Sequence, residues 1–216
     1  MLSIENLHMS FGDTLVLKGI NISFEKGKVY TIVGGNGSGK TTLINILSGF
    51  LKPDQGTILL NGKNLVGVSP YKINRLGIGR TFQDLRVANQ MTVRENVMLA
   101  FEKNMFGYFR KKDVDKIDEI LAKMSLMEVA DSLAGEISYG QQKLLTLACL
   151  VANNANVLLI DEPVAGIDKN NILSIIEIIK GFKFEGKTII QIEHNHYYIA
   201  QTSDCILKME GGKILC

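Results

Sequence analysis

Hydrophobic and polar residues alternate in the first sixty residues, which predicts short strands joined by turns. Segments 3–8 and 20–24 alternate with a period of two, typical of half-buried strands. A third segment, 57–60, follows the turn sequence Pro-Asp-Gln-Gly and precedes Asn61-Gly62, a strong hairpin signal. We therefore expect the chain to begin with β structure.

A different pattern lies between these strands. Val29–Val33 is a continuous apolar, β-rich run, as expected for a strand that is covered on both faces. A glycine-rich loop follows, and then the helix-forming run 41–51. The order strand, loop, helix predicts one βα unit.

The strand signal mostly disappears between residues 84 and 155. Val114, Ile117, Leu121 and Met124 recur at helical spacing among mixed charges, which predicts an amphipathic helix. A second helix is predicted over 141–152. This part of the chain is therefore expected to be mostly helical.

Strand signals return at 157–160, Thr188–Ile192 and 205–209, with an isoleucine-rich helix at 172–179 between the first two. A hairpin arm is expected at 211–215. The pattern predicts a single domain, 1–216. An α/β core is formed by 1–83 and 156–216, and a helical lobe of 84–155 is inserted into it.

The composition agrees with a folded domain and excludes several classes of protein. Of the 216 residues, 46% are hydrophobic and 21% charged, and the net charge of +2 gives no reason to expect nucleic-acid binding. The longest uncharged stretch, 144–160, is shorter than the ~20 apolar residues of a spanning helix. Neither a signal peptide nor a paired-cysteine motif is evident, so a cytoplasmic protein is expected.

The glycine-rich loop carries the clearest chemistry, because it fits the phosphate-binding pattern G-x-x-x-x-G-K-[ST]. Its N–H groups would point at phosphate, and the next helix adds a positive N-terminal dipole. Lys40 is expected to reach the β- and γ-phosphates, and the Thr41 hydroxyl to ligate Mg²⁺. The alternative, a glycine turn with a chance lysine, does not explain the flanking strand and helix. The predicted nucleotide-binding residues of the loop are Gly34, Asn36, Gly37, Ser38, Gly39, Lys40, Thr41 and Thr42.

A second candidate site is the apolar strand that ends in Asp161 and Glu162. Acids at the end of a buried strand are costly without a partner. Mg²⁺ bound through Asp161 would supply one, and Glu162 is placed to activate a water that attacks the γ-phosphorus. Solvated acids at an ordinary strand end are the alternative, which would be preferred if the glycine loop were absent.

With further motifs, these residues resemble the ATP-binding-cassette ATPases, the nucleotide-binding subunits of ABC transporters. Residues 81–83 (T-F-Q) match the family's Q-loop, and residues 137–141 (I-S-Y-G-Q) match its signature motif. Residues 165–168 (A-G-I-D) match its D-loop, and residues 193–194 (E-H) match its switch histidine. The resemblance implies a P-loop NTPase core with a mostly parallel sheet. It also implies an N-terminal antiparallel β subdomain and an inserted α-helical subdomain.

The resemblance implies ATP and Mg²⁺ as cofactors and gives single residues a role. Gln83 would ligate Mg²⁺ or the attacking water, and His194 would reach the γ-phosphate. Phe11 would stack on adenine. The implied catalytic residues are Glu162, His194, Lys40 and Gln83. The implied metal ligands are Thr41, Gln83 and Asp161.

Other matched residues would act across a dimer interface. Ser138, Gly140 and Gln141 would complete the ATP site of a second copy, or of a paralogous ATPase, in a head-to-tail dimer. Asp168 would contribute there too, although capping the following helix is an equal alternative. Ser138 has the same alternative, because serine is a favoured N-cap residue.

Two residues depart from the common signature, Leu-Ser-Gly-Gly-Gln, because Ile137 replaces its leucine and Tyr139 replaces its first glycine. The phrases SYGQQ, GIGRTFQ and DEPVAGID resemble the branched-chain amino acid branch of the family, and ATPases of lipopolysaccharide export look similar. Two other classes remain open. One is a soluble, non-transport ABC ATPase that acts as scaffold or regulator. The other is a small-molecule kinase or GTPase, which shares the glycine loop alone.

The expected function is ATP hydrolysis that drives transport of a small substrate through integral membrane subunits. The chain would then lie on the cytoplasmic face of the membrane. We expect the membrane partner to dock around residues 83–97, together with Arg80, Arg86 and Arg94. No nucleic-acid partner is expected.

Overall fold

The computed structural model describes residues 1–82, 85–101 and 109–215. The strands in this part of the chain are β1 Leu2–Phe11, β2 Thr14–Phe24, β3 Val29–Val33, β4 Gln55–Leu60, β5 Lys63–Asn64, β6 Ile78–Arg80, β7 Val157–Asp161, β8 Thr188–Ile192, β9 Cys205–Glu210 and β10 Lys213–Leu215. The helices are α1 Lys40–Leu47, α2 Pro70–Arg75, α3 Val93–Ala100, α4 Lys111–Lys123, α5 Tyr139–Ala152, α6 Lys169–Phe184 and α7 His196–Thr202.

The strands form two sheets. The larger one has the order β10-β9-β3-β8-β7-β6, and its strands from β9 to β6 pair in parallel, whereas β10 is antiparallel to β9. The smaller sheet has the order β2-β1-β4-β5 and is antiparallel. This arrangement confirms the predicted α/β fold with a mostly parallel sheet and an N-terminal antiparallel sheet.

The central strands are buried on both faces, as their continuous apolar sequences predict. Every residue of β7 and β8 is buried, and so are four of the five in β3. Alternate residues face different cores: Leu158 and Ile160 pack with the helical segment and α6, whereas Leu159 packs with α1 and the antiparallel sheet. The large sheet therefore separates two hydrophobic cores.

The segment between the two parts of the large sheet contains the predicted helices. Ile117 and Leu121 of α4 are buried, and so are most apolar residues of α5. The sequence prediction missed four short elements, α2, β6, α3 and α7. The first predicted helix also ends early, because Ser48 closes α1 and Gly49 has a φ of +76°. The division at residues 83/84 and 155/156 stays a prediction, and no helix within the described ranges is long and apolar enough to span a membrane.

A buried polar network ties α7 to the large sheet. The Tyr198 hydroxyl donates to Gln191 Oε1 at 2.8 Å, and Gln191 Nε2 donates to Thr31 Oγ1 at 2.9 Å and Thr202 Oγ1 at 3.2 Å. Complete burial raises the pKa of Tyr198 well above its ordinary value, so the phenol remains a neutral donor. Because buried polar groups are costly when unpaired, this network fixes the position of α7 against β3 and β8.

Replacing Gln191 with leucine should lower the free energy of unfolding by about 1–3 kcal/mol, because the buried Tyr198 hydroxyl would lose its acceptor. Urea unfolding followed by circular dichroism measures the change. The exposed Gln201→Leu is the matched control and should change stability by less than about 0.5 kcal/mol. Equal stability of the two variants would contradict the role of the network.

Candidate functional site

The glycine-rich loop joins β3 to α1 through backbone conformations that other residues rarely adopt. Gly39 is the N-cap of α1 and has a φ of +100°. A β carbon at Gly34 would collide with the carbonyl oxygen of Met209. The loop therefore needs glycine at both positions to hold its curled path beside β9.

The start of α1 provides donors for an anion. No side chain caps this helix, so the N–H groups of its first turn keep their donor capacity. Lys40 Nζ donates to the carbonyl oxygens of Gly34 at 2.7 Å and Gly35 at 3.0 Å, which holds the ammonium inside the loop. Ser38 Oγ is buried without a hydrogen-bond partner in the described part of the chain. An orphaned hydroxyl, a lysine and free helix N–H groups together fit a bound phosphate chain.

Most of the predicted nucleotide-binding residues line one cavity of about 420 Å³. Glu162 and His194 lie at the same cavity, although they follow β7 and β8 rather than β3. Because parallel strands end at the same edge of a sheet, residues far apart in sequence meet there. The predicted residues in the lining are Phe11, Asn36, Gly37, Ser38, Gly39, Lys40, Thr41, Thr42, Glu162 and His194.

Asp161 is the last residue of β7 and is only 5% exposed. Burial raises the pKa of its carboxyl group, and the nearby cations Arg80, Lys143 and Lys40 oppose that shift. The Arg80 guanidinium forms a long ion pair with this carboxylate, with 4.0 Å between Arg80 Nη2 and Asp161 Oδ2. A carboxylate in this position, together with the Thr41 hydroxyl, has the oxygen donors that Mg²⁺ prefers.

Glu162 has a left-handed main chain, with a φ of +47°. Its Oε1 lies 3.9 Å from His194 Nε2. Its N–H donates to the Ile192 carbonyl at 3.0 Å, and its own carbonyl accepts from Lys143 Nζ at 3.0 Å. A left-handed conformation costs a non-glycine residue roughly 1–3 kcal/mol, and such residues cluster at functional sites.

Glu193 is buried and ties together the loops that follow β7 and β8. Its Oε1 accepts from the Val164 N–H at 3.2 Å, and its Oε2 accepts from the N–H groups of His194 and Asn195. In the sequence, Glu193 is notable only as the neighbour of His194 in the switch motif. Its role in the structure is to fix the two loops that carry Glu162 and His194.

The predicted signature residues lie outside the lining of this cavity. Ser138 is the N-cap of α5 and forms a capping box with Gln141. Asp168 Oδ1 accepts from the Asn171 N–H at 3.2 Å at the start of α6. A β carbon at Gly140 would lie 3.0 Å from Asn171 Nδ2, so the two helix starts are adjacent. The capping alternatives are thus realised for Ser138 and Asp168, and a second role stays a prediction.

Gln83 lies outside the described residues. Its neighbour Phe82 lies in a group of aromatic and basic side chains. The Arg86 guanidinium lies 3.7 Å from the centroid of the Phe82 ring, and that of Arg80 lies 4.7 Å from it. Phe82 also packs edge-on against Phe50, with centroids 5.5 Å apart.

The expectation that Arg80 belongs to an exposed docking surface is wrong. Its side chain is only 8% exposed, and its Nη1 donates to Asn45 Oδ1 at 2.6 Å and Ser48 Oγ at 2.8 Å. Desolvation by burial lowers the pKa of Arg80, and Asp161 opposes that shift. Arg80 therefore joins the end of α1 to Asp161, while Arg86 is exposed.

A larger cavity of about 680 Å³ lies elsewhere, between the end of α2 and helices α4 and α5. Its lining includes Asn74, Gly77, Lys116 and Asn154, but it includes none of the predicted site residues. It has no glycine loop and no strand-end carboxylate. The chemistry of the molecule is therefore concentrated in the smaller cavity.

Comparison with known proteins gives consistent matches. A family model described as ABC transporter matches residues 17–165. A probable branched-chain amino acid transport ATP-binding protein of Archaeoglobus fulgidus is 35% identical over 100% of this chain and 88% of its own length. A ribose import ATP-binding protein of Oceanobacillus iheyensis is 34% identical over 97% of this chain, which spans only 42% of that protein.

Solved structures agree with these sequence matches. The ADP conformation of an ATP-binding cassette of an ABC transporter has a TM-score of 0.90 and 32% identity, over 100% of this chain and 89% of that one. A dimeric cassette bound to ADP and phosphate has a TM-score of 0.87 at 24% identity, covering 100% of this chain and 97% of that one. The second likeness shows the fold alone.

Replacing Lys40 with alanine should weaken binding of a fluorescent ATP analogue by about tenfold or more, because the loop would lose a charged donor for phosphate. The exposed Lys52→Ala is the control and should bind with unchanged affinity. Equal affinity of both variants would remove the phosphate-binding assignment of the loop.

Proposed function

The chain belongs to the ABC transporter family and is an ATP-binding, ATP-hydrolysing subunit of it; we propose that it powers the movement of a small solute through a separate membrane subunit. The observation that carries this proposal is the single cavity shared by the glycine loop, Glu162 and His194. A branched-chain amino acid is the first candidate solute, since a relative that matches the whole chain is named for that transport.

In the proposed mechanism, the glycine loop and the first turn of α1 hold the phosphates of ATP through N–H groups and Lys40. Phe11, which is half exposed at the cavity rim, packs against the adenine ring. Glu162 accepts the proton of the attacking water, and His194 donates to the γ-phosphate. The glycine loop, Glu162 and His194 come from three strand ends of the large sheet, so that sheet sets their spacing.

Mg²⁺ would be held by Thr41 and Asp161, and by Gln83 if the family's pattern applies. The bound ion would neutralise charge on the β- and γ-phosphates. Arg80 is placed to offset the charge of buried Asp161. Lys40 adds a second positive charge at the same end of the sheet.

A second copy of the chain, or a paralogous ATPase, is proposed to complete each site. The residues of the signature motif lie outside the lining of the cavity in their own chain, so they are available to another one. Ser138 and Gly140 lie at the N-terminal end of α5, where the helix N–H groups that the capping box does not use favour an anion. Asp168, on the adjacent start of α6, belongs to the same proposed interface.

Glu162→Gln should lower the rate of ATP hydrolysis by about 10²–10⁴-fold, because a positioned general base contributes that much. ATP binding should be retained, and the ATP-bound dimer should accumulate in size-exclusion chromatography. The exposed Glu128→Gln should hydrolyse ATP at the native rate. If Glu162→Gln hydrolyses ATP at the native rate as well, Glu162 is not the base.

The membrane partner is proposed to dock beside Phe82 and the exposed Arg86. Charge reversal by Arg86→Glu should abolish stimulation of the ATPase by co-purified membrane subunits while the basal rate is retained. Lys26→Glu, exposed in the turn before β3, is the control and should keep the stimulation. Loss of ATP binding in Arg86→Glu would contradict the docking role, and absence of any membrane subunit in the purification would favour a non-transport ATPase.

A further inference from the structure

The tyrosine that replaces glycine in the signature motif has a defined environment. A β carbon at Gly166 would lie 3.3 Å from Tyr139 Cε1, so the ring lies against the main chain that follows β7. The centroid of the same ring lies 5.8 Å from Lys143 Nζ. Tyr139 thus connects the first turn of α5 with Lys143, one turn further along the same helix, and with the loop at Gly166.

Lys143 is a buried lysine in a position where burial is costly. Only 4% of it is exposed, and desolvation by burial lowers its pKa. The carboxylates of Glu162, Glu193 and Asp161 counter that shift, so the ammonium lies among the acids of the candidate site. Lysine is rarely buried without a partner, and this partner is the Glu162 carbonyl at 3.0 Å.

The hydrogen bond from Lys143 holds the peptide that follows Glu162. The next residue is Pro163, so the peptide that follows Glu162 has no N–H and is held through its carbonyl alone. That carbonyl accepts from Lys143 Nζ and, at 3.3 Å, from the Ala165 N–H. Because Glu162 is in a left-handed conformation, the direction of its side chain depends on these bonds.

We infer that Lys143 is a positioning residue that transmits the state of the signature turn to the main chain of Glu162 in the same chain. The inference rests on the proposed function, in which the signature turn faces the ATP of the partner subunit. Closure of the dimer around one ATP would then press on Tyr139 and, through Lys143, set the carboxylate of the other site. The two ATP sites would be coupled by a chain of contacts inside each subunit.

Lys143→Met tests this inference, since methionine fills much of the space without donating a hydrogen bond. The turnover number should fall about tenfold or more, as expected when one charge-assisted hydrogen bond is lost from an active conformation. KM and the affinity for a fluorescent ATP analogue should change less than about twofold, because Lys143 is not in the lining of the nucleotide cavity. Lys143→Arg keeps a charged donor and should recover most of the turnover.

Lys187→Met is a closely matched control. Lys187 is also buried, its pKa is also lowered by desolvation, and its Nζ donates to the Ala155 carbonyl at 2.8 Å. It should lose stability in thermal unfolding but keep a turnover number near the native value. An equal loss of turnover in Lys187→Met and Lys143→Met would overturn the inference, as would native turnover in Lys143→Met.

Because Tyr139 is half exposed, a substitution there leaves the hydrophobic core unchanged. Tyr139→Ala should lower turnover without raising KM, and the double variant should be no slower than Lys143→Met alone. Additive losses, or native turnover in Tyr139→Ala, would overturn the link through the ring. If Glu162→Gln hydrolyses ATP at the native rate, Glu162 is not the base and the proposed mechanism fails, and that result is separable from failure of Lys143.

Discussion

The structure depends on one constraint, which is that a parallel sheet covered on both faces can present polar groups to a ligand only at its ends. β3, β7 and β8 are buried along almost their whole length, so most of their residues are apolar, and Thr31 and Gln191 inside them are paired with each other. The polar residues that follow them converge at the carboxyl edge. The glycine loop, Asp161-Glu162 and Glu193-His194 are those residues, and the cavity forms where they meet.

The site also depends on charged side chains that are buried. Asp161, Glu193, Arg80 and Lys143 are all largely removed from water, and each has a partner that offsets this cost. Arg80, which is also bonded to the end of α1, offsets the charge of Asp161. Lys143 of α5 donates to the Glu162 carbonyl. Glu193 is satisfied by main-chain N–H groups rather than by a cation. The ion pairs and hydrogen bonds thus link both cores of the molecule to the strand ends.

The sequence predicted what local patterns can encode. The bounds of β3 and β8 follow from short apolar runs, and the glycine loop follows from a motif whose residues are neighbours in the chain. Arg80 was misjudged because a basic residue before a polar loop is usually exposed. Lys143 and Glu193 were missed as site residues because their partners are main-chain groups, which leave no trace in the sequence. The short elements α2, β6, α3 and α7 contain too few residues for a periodic pattern.

The carboxylate of Glu193 has a mechanical consequence. One side chain grips the loop after β7 and the loop after β8 at the same time. The hydrogen bonds of Glu193 therefore hold the two loops that carry Glu162 and His194 together within the subunit. Because these hydrogen bonds join the two loops, we expect the loops to shift together. Glu162, the proposed base, and His194, the proposed phosphate contact, would then move toward or away from the nucleotide as one unit.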